Sequence, residues 1–197
     1  MNIGIRTGDI KGSSGSSYIE MNGSKVIVSV YGPMEPSMQQ QEYALSGIIE
    51  VCVEDAWNAD IEMETIQHKL QHIMKAAIRH TAYFKTLIKI SISVLAIGNS
   101  LFDTITLASS LALVDAGIEM KDFVVSCTAG LVNGEYKPFV ADESSVRVTI
   151  MPSQNEIVET DVNGRADPGT IDQAIQVAMG GCMDIIQVVR SYINSRQ

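Results

Sequence analysis

Residues Gly98 to Met120 read GNSLFDTITLASSLALVDAGIEM. At helical spacing Leu101, Ile105, Ala108, Leu111, Ala112 and Ala116 fall on one side, and the small residues Ala108, Ser109, Ser110 and Ala112 crowd the middle, so this helix can lie close against a sheet. Gly117 is placed to stop it, because glycine takes the left-handed conformation that helix ends often need. Immediately upstream, LIKISISVLAI (Leu87 to Ile97) alternates Ile88, Ile90, Ile92, Val94 and Ala96 with Lys89, Ser91, Ser93 and Leu95, the period of a strand. A strand thus runs directly into a buried helix. The join, Ile97-Gly98-Asn99-Ser100, is where an α/β enzyme commonly holds a phosphate on the unpaired N–H groups of a loop and helix N-terminus.

Outward from this unit, the N-terminal side is rich in strands. After a Gly/Ser-rich opening with a short strand at Met1 to Ile5, Ser17 to Met21 and Lys25 to Tyr31 are joined across Asn22-Gly23, a hairpin signal. Val26, Val28 and Val30 share one face, and Gly32-Pro33 is expected to end the strand because proline cannot donate to a ladder. Pro36 to Tyr43 is polar and read as loop, and Gly47 to Val53 as a third strand. From Glu62 the period becomes helical, with Met63, Ile66, Leu70, Ile73, Met74 and Ala77 as the stripe. On the C-terminal side, strands are expected at Phe123 to Val132, at Lys137 to Ala141 after an Asn133-Gly134 turn, around Val146, Val148 and Ile150, and at Glu156 to Val162. Asp167 as N-cap and Pro168 at the first helical position then open a helix carrying Ile171, Ile175, Ala178, Cys182, Ile185, Ile186, Val189 and Ile193. The pattern is α+β, two β-sheet/helix layers in one domain spanning residues 1–197.

The chain has 197 residues, 46% of them hydrophobic, and 14 Lys plus Arg against 23 Asp plus Glu give a formal net charge of -9. That balance argues against a free-standing protein that grips nucleic acid by charge alone; it leaves room for a subunit lining an RNA path that its neighbours make positive. Cys52, Cys127 and Cys182 are odd in number and lack CxxC spacing, as expected of reduced thiols inside a cell. No apolar run approaches the ~18 residues a membrane span requires, and no signal-like apolar segment opens the sequence. A soluble intracellular protein is expected, without membrane contact.

Two longer motifs carry a resemblance. GSSYIEMNGSKVIVSVYGPMEP (Gly15 to Pro36) and SSLALVDAGIEMKD (Ser109 to Asp122) resemble the RNase PH family, the second matching its Ala-Leu-x-Asp-Ala-Gly-Ile-x-Met segment, and Met151-Pro152-Ser153, the Asn163-Gly164 turn and the closing helix follow in the family's order. The resemblance implies a ribosomal protein S5 domain 2-like fold and a family of phosphorolytic 3′ exoribonucleases and RNA exosome ring subunits. In active members the loop before the long helix carries an arginine that binds phosphate; counted back from Ala116-Gly117, that position is Phe102, after Ser100 and Leu101. The acidic element after the second hairpin is KPFVADESS, with Phe139 or Val140 where the first aspartate would stand and Asp142 and Glu143 near the later pair. RNA-contacting arginines are replaced by EDAWNADIEMET, the Pro-Arg before the central strand by Phe84-Lys85, and the Arg-Pro-Asp-Gly-Arg leader by Asn2-Ile3-Gly4-Ile5. The departures, with the short start and Val-Tyr-Gly-Pro-Met-Glu-Pro, resemble the non-catalytic ring subunits of the eukaryotic RNA exosome. They imply a structural subunit without enzymatic activity, with no catalytic, cofactor-binding or metal residue and no cofactor. Its expected partners are other RNase PH-like ring subunits, S1- and KH-domain cap proteins, and RNA in the assembled channel, in nucleus, nucleolus and cytoplasm. The competing expectation is a phosphorolytic 3′-5′ exoribonuclease holding phosphate with Ser100, the backbone at Asn99 and a neighbour's basic residue.

Several residues admit two readings. Lys75, Arg79, His80, Lys85 and Lys89 form a local basic cluster that suits either an RNA backbone or a solvated, ion-paired helix face. His68 and His72, at i and i+4, suit a shared metal or plain exposure. Trp57 is an interface anchor or a residue of its own core. Asp115 is a carboxylate to test for activity or a hydrogen-bond acceptor at the helix end.

Overall fold

The structure, a computed structural model, describes residues 3–37, 47–55, 63–142, 144–164 and 169–195. Nine strands and three α-helices are described, besides a 3-10 turn at His80–Ala82: β1 (Ile3–Thr7), β2 (Gly15–Met21), β3 (Ser24–Met34), β4 (Ile48–Asp55), α1 (Met63–Ala77), β5 (Leu87–Ala96), α2 (Leu101–Asp115), β6 (Val125–Val132), β7 (Glu135–Pro138), β8 (Ser145–Met151), β9 (Glu156–Asn163) and α3 (Ile171–Asn194). They form a five-stranded sheet in the order β1-β2-β3-β5-β4 and a four-stranded sheet in the order β7-β6-β8-β9. Every pairing is antiparallel except β4 with β5, where α1 supplies the crossover a parallel pair requires. The fold is α+β, as the periodicities predict.

Alternation decides which face of the first sheet is buried. Val26, Val28 and Val30 on β3 and Ile88, Ile90, Ile92 and Val94 on β5 are all essentially inaccessible, whereas Lys89, Ser91 and Ser93 are half-buried. The buried face packs on α1 and α2. The second sheet meets α2 through Ser126 and Thr128, and α3 through Cys127 on its other side, where a Cβ on Gly181 would collide with the Cys127 sulfur. The layers are therefore sheet, α2 with α1, sheet, α3. Sandwiched between two sheets, α2 is buried from Leu101 through Leu113 on every side, so the one-sided stripe expected from spacing is only part of its contact surface. Gly117 ends it with φ +68°, the Gly117 and Ile118 N–H groups bonding the Val114 and Leu113 carbonyls at 3.0 Å each.

Both Asn-Gly turns are tight two-residue hairpins with left-handed residues at both positions, φ 48° and 84° at Asn22-Gly23 and 53° and 84° at Asn133-Gly134. Several boundaries differ from expectation. β3 does not stop at Gly32-Pro33 but continues to Met34 through a pairing shift between Tyr31 and Met34, and the irregularity is where a missing proline donor is tolerated. The return strand is Glu135–Pro138 rather than Lys137 to Ala141, since the two-residue turn sets Val132 directly opposite Glu135. The last helix begins at Ile171 with Thr170 at the N-cap position; Asp167 and Pro168 lie outside the described residues, as do most of the 36–43 loop, Trp57 and Glu143.

Candidate functional site

The N-terminal end of α2 opens into a cleft of about 460 Å³ between the two sheets. Gly98 is required there by close approach, because a Cβ would lie 2.6 Å from both the Asn22 carbonyl oxygen and the Ser24 nitrogen, and its own N–H donates to Ser24 Oγ at 3.1 Å. The join is thus locked onto the first hairpin turn. Ser100 occupies the N-cap position but makes no side-chain cap; its hydroxyl donates to the Phe139 carbonyl and accepts from Asn22 Nδ2, each at 3.2 Å. The hydroxyl best placed to meet an anion is already occupied by protein.

Phe102 lies within the first turn of α2, only 6% exposed. Arg147 of β8 lays its guanidinium over the Phe102 ring, 3.7 Å from the centroid, and pairs with Asp161 of β9, its direct cross-strand neighbour. Lys69 of α1 reaches the same carboxylate oxygen at 2.6 Å. One carboxylate is therefore shared by two cations from two elements. Burial alone would push the Asp161 carboxyl up, but the hydrogen bond from Lys69 and the charges of Arg147 and Lys69 outweigh it and hold it below the usual carboxylate range.

Behind this cluster Asp103 is fully buried and accepts from Ser126 Oγ at 2.9 Å, the Thr128 N–H at 3.0 Å and Thr128 Oγ1 at 3.2 Å. Burial pushes its carboxyl up, and these donors with Arg147 oppose the shift without cancelling it. Asp103, Lys69, Arg147 and Asp161 escaped the sequence reading. Asp103 had a signal, as the one charged residue in the otherwise uncharged run Leu101 to Val114; the others come from three separate elements with no common spacing.

The sequence candidates scatter. Asp115 lies at the far end of α2, about 20 Å from the cleft by helical rise, and accepts the Ser16 N–H at 2.9 Å. Asp142 is exposed, just past Ala141 on the cleft wall. His68 and His72 are exposed on α1, and among the described residues no group of three His, Cys, Asp or Glu could hold a metal ion. In the basic cluster, Arg79 pairs with Glu119 at 3.1 Å and Lys89 with Glu50 at 3.9 Å, whereas Lys75 and Lys85 are exposed. The three cysteines are free, and burial raises each thiol. No described helix is long and apolar enough to cross a membrane.

Comparison with known proteins supplies the context for this cleft. The profile of the RNase PH family, described as 3′ exoribonuclease family, domain 1, matches residues 2–119. Exosome complex component Rrp41 of Methanopyrus kandleri is 28% identical over 207 residues, covering 98% of this chain and 87% of its own. The Rrp41 of Pyrococcus horikoshii is 28% identical over 214 residues, covering 98% and 84%. In fold, the chain is similar to the crystal structure of rice Rrp46, with TM-score 0.88 at 18% identity over 98% of this chain and 94% of that one. It is also similar to the Archaeoglobus fulgidus exosome with RNA bound to the active site, with TM-score 0.79 at 18% identity over 95% and 88%. The profile takes in more than half of the sequence, including the Gly15 to Pro36 motif and most of the Ser109 to Asp122 motif, and on that ground the chain belongs to the RNase PH family.

Proposed function

We propose that this protein is a catalytically inactive RNase PH-like subunit of an RNA exosome ring, supporting 3′-to-5′ RNA processing and degradation through assembly and not through chemistry of its own. The observation that carries the reading is the internal ion cluster: Phe102 stands where active relatives are expected to hold an arginine, and Asp161 occupies both Arg147 and Lys69. A phosphate entering the cleft would have to displace a carboxylate already neutralised by two cations, next to the buried Asp103. Ser100, committed to Phe139 and Asn22, offers no replacement. Partners in this reading are other RNase PH-like ring subunits and S1- and KH-domain cap proteins, with RNA passing through the assembled channel in nucleus, nucleolus and cytoplasm.

The competing reading, a phosphorolytic 3′-5′ exoribonuclease, draws support from the same two cations, since Arg147 restores a guanidinium beside the helix N-terminus. One assay separates the two. The purified chain is incubated with single-stranded RNA and inorganic phosphate, and nucleoside diphosphates are measured. None is expected from the wild type or from Phe102→Arg; release by the wild type overturns the structural reading. Affinity purification of the tagged chain from its own cells is expected to recover several different RNase PH-like chains, and recovery of the chain alone counts against it.

A further inference from the structure

We propose that a second surface, at the end of the first sheet opposite the cleft, contacts single-stranded RNA through Phe84 and the lysines around it. β5 has ten residues, so its two ends lie about 30 Å apart at the rise of a strand. At its start the chain forms a collar. Ile78 and Met120 bridge, Arg79 N–H donates to the Glu119 carbonyl at 3.1 Å, Lys121 N–H donates to the Ala77 carbonyl at 2.7 Å, and Glu119 N–H donates to the Tyr83 hydroxyl at 2.7 Å. This short ladder sets Arg79 and Lys121 on paired segments, and the Tyr83 hydroxyl ties the Phe84-Lys85 turn to the same end of the sheet, with Lys75 one turn earlier on α1.

The acids of the collar are engaged by other groups. Glu119 pairs with Arg79, and Asp122 accepts the N–H groups of Phe123, Ser153 and Gln154. Lys75, Lys85 and Lys121 are exposed and form no ion pair among the described residues. Glu35, just past the end of β3, is a nearby exposed acid. In a protein of formal net charge -9, gathering cations at one end is a departure from the average surface.

An apolar feature lies at the same end of the sheet. Phe84 is 58% exposed, with Lys85 Nζ 5.5 Å from its ring centroid, and Met34, paired opposite Leu87, is also exposed. An exposed aromatic ring edged by Lys85, with Lys75 and Lys121 at the same end of the sheet, suits nucleic acid: any base can stack on the ring while the ammonium groups take the phosphates. An acidic peptide would use the lysines alone. The inference rests on the RNA-handling reading above, but it requires neither catalysis nor a ring.

The test is fluorescence anisotropy of a labelled single-stranded oligoadenylate of about a dozen nucleotides, titrated with the full chain over a series of salt concentrations. Binding in the range of roughly 10⁻⁴–10⁻⁶ M is expected. Phe84→Ala should weaken it by roughly 5- to 150-fold without altering the salt slope. Lys85→Gln and Lys121→Gln should each lower that slope by about 0.7, and Phe84→Tyr should keep most of the affinity. Because all three side chains are exposed, folding is not at stake, and circular dichroism checks it. No binding at low salt, or binding indifferent to Phe84 and to both lysines, overturns the proposal. Equal competition by polyglutamate against wild type and Phe84→Ala also overturns it and assigns the surface to an acidic protein segment. Any of these failures leaves the ring-subunit reading standing, whereas phosphorolysis by the chain would overturn that reading and leave this surface untouched.

Discussion

Asp161 and Asp103 both feel the charge of Arg147 and respond to acid in opposite senses. Asp161 has a lowered carboxyl, so its contribution to stability is fully present above the unfolded value of about 3.9 and is lost as pH falls through the folded value below it. Asp103 has a raised carboxyl, so its ionisation weighs against the folded state at neutral pH, and that penalty is relieved as pH falls through its folded value towards the unfolded one. Side-chain exposure is 32% for both Lys69 and Asp161 and 16% for Arg147, between a surface pair and a buried one. Asp161→Asn should therefore cost on the order of 1–2 kcal/mol at pH 7. The difference from wild type should shrink below about pH 4, as read by thermal unfolding across pH. A difference that stays constant down to pH 3 would mean that the carboxylate charge is not what Arg147 and Lys69 hold. Phe102 is a buried core residue as well as the floor under Arg147, so Phe102→Ala should cost about 3–5 kcal/mol. Phe102→Leu should recover most of that and lose only the ring contact. Chemical denaturation checks both, with RNA turnover expected to be unchanged in either variant that folds.

At the scale of elements, α2 sets the terms for the rest of the chain. A helix pressed between two sheets has no solvent face for most of its length, and three of its four hydroxyls settle on backbone carbonyls: Thr104 on Ser100, Thr106 on Phe102 and Ser110 on Val124, while Ser17 of β2 bonds Ala108. Leu107→Ala should accordingly cost about 2–5 kcal/mol, whereas Val114→Ala, at a position 50% exposed, should stay within about 0.5 kcal/mol. Equal costs by urea denaturation would contradict burial on all sides. The same element shows what could be read in advance. Its start, its end at Gly117 and the strand before it follow from period and from a glycine that must take positive φ, and both hairpins follow from Asn-Gly pairs that tolerate φ > 0 at two successive positions. Burial on its second side was hidden, because Ser109, Ser110, Thr104 and Thr106 count as polar until a second sheet is known to cover them. The ion cluster was hidden more deeply. Lys69, Arg147 and Asp161 are separated by up to 92 residues and meet only through register and crossover, whereas Phe102 was found because a motif at Ala116-Gly117 fixed its place.

For the whole molecule, the layer order implies that neither half is stable alone. The first sheet buries β2 and β3 against α2; the second sheet supplies the partners of Asp103, also on α2; and Tyr192 near the end of α3 lies 3.3 Å, hydroxyl to hydroxyl, from Thr7 of β1. One hydrophobic cluster runs through both sheets and all three helices. Folding as one domain is the expected consequence, and Asp103 at the seam is the place to test it. Asp103→Leu leaves the buried Thr128 N–H without its acceptor, which should cost about 1–3 kcal/mol. If the two sheets are one cooperative unit, the slowest amides of β3, β5, α2, β6 and β8 share a single opening free energy, and the substitution lowers all of them by the same amount. Native-state hydrogen exchange reads this directly. A loss confined to β6 and β8, with β3 and β5 unchanged, would mean that the second sheet with α3 opens by itself. The seam at α2 would then be an interface between two units and not the middle of one.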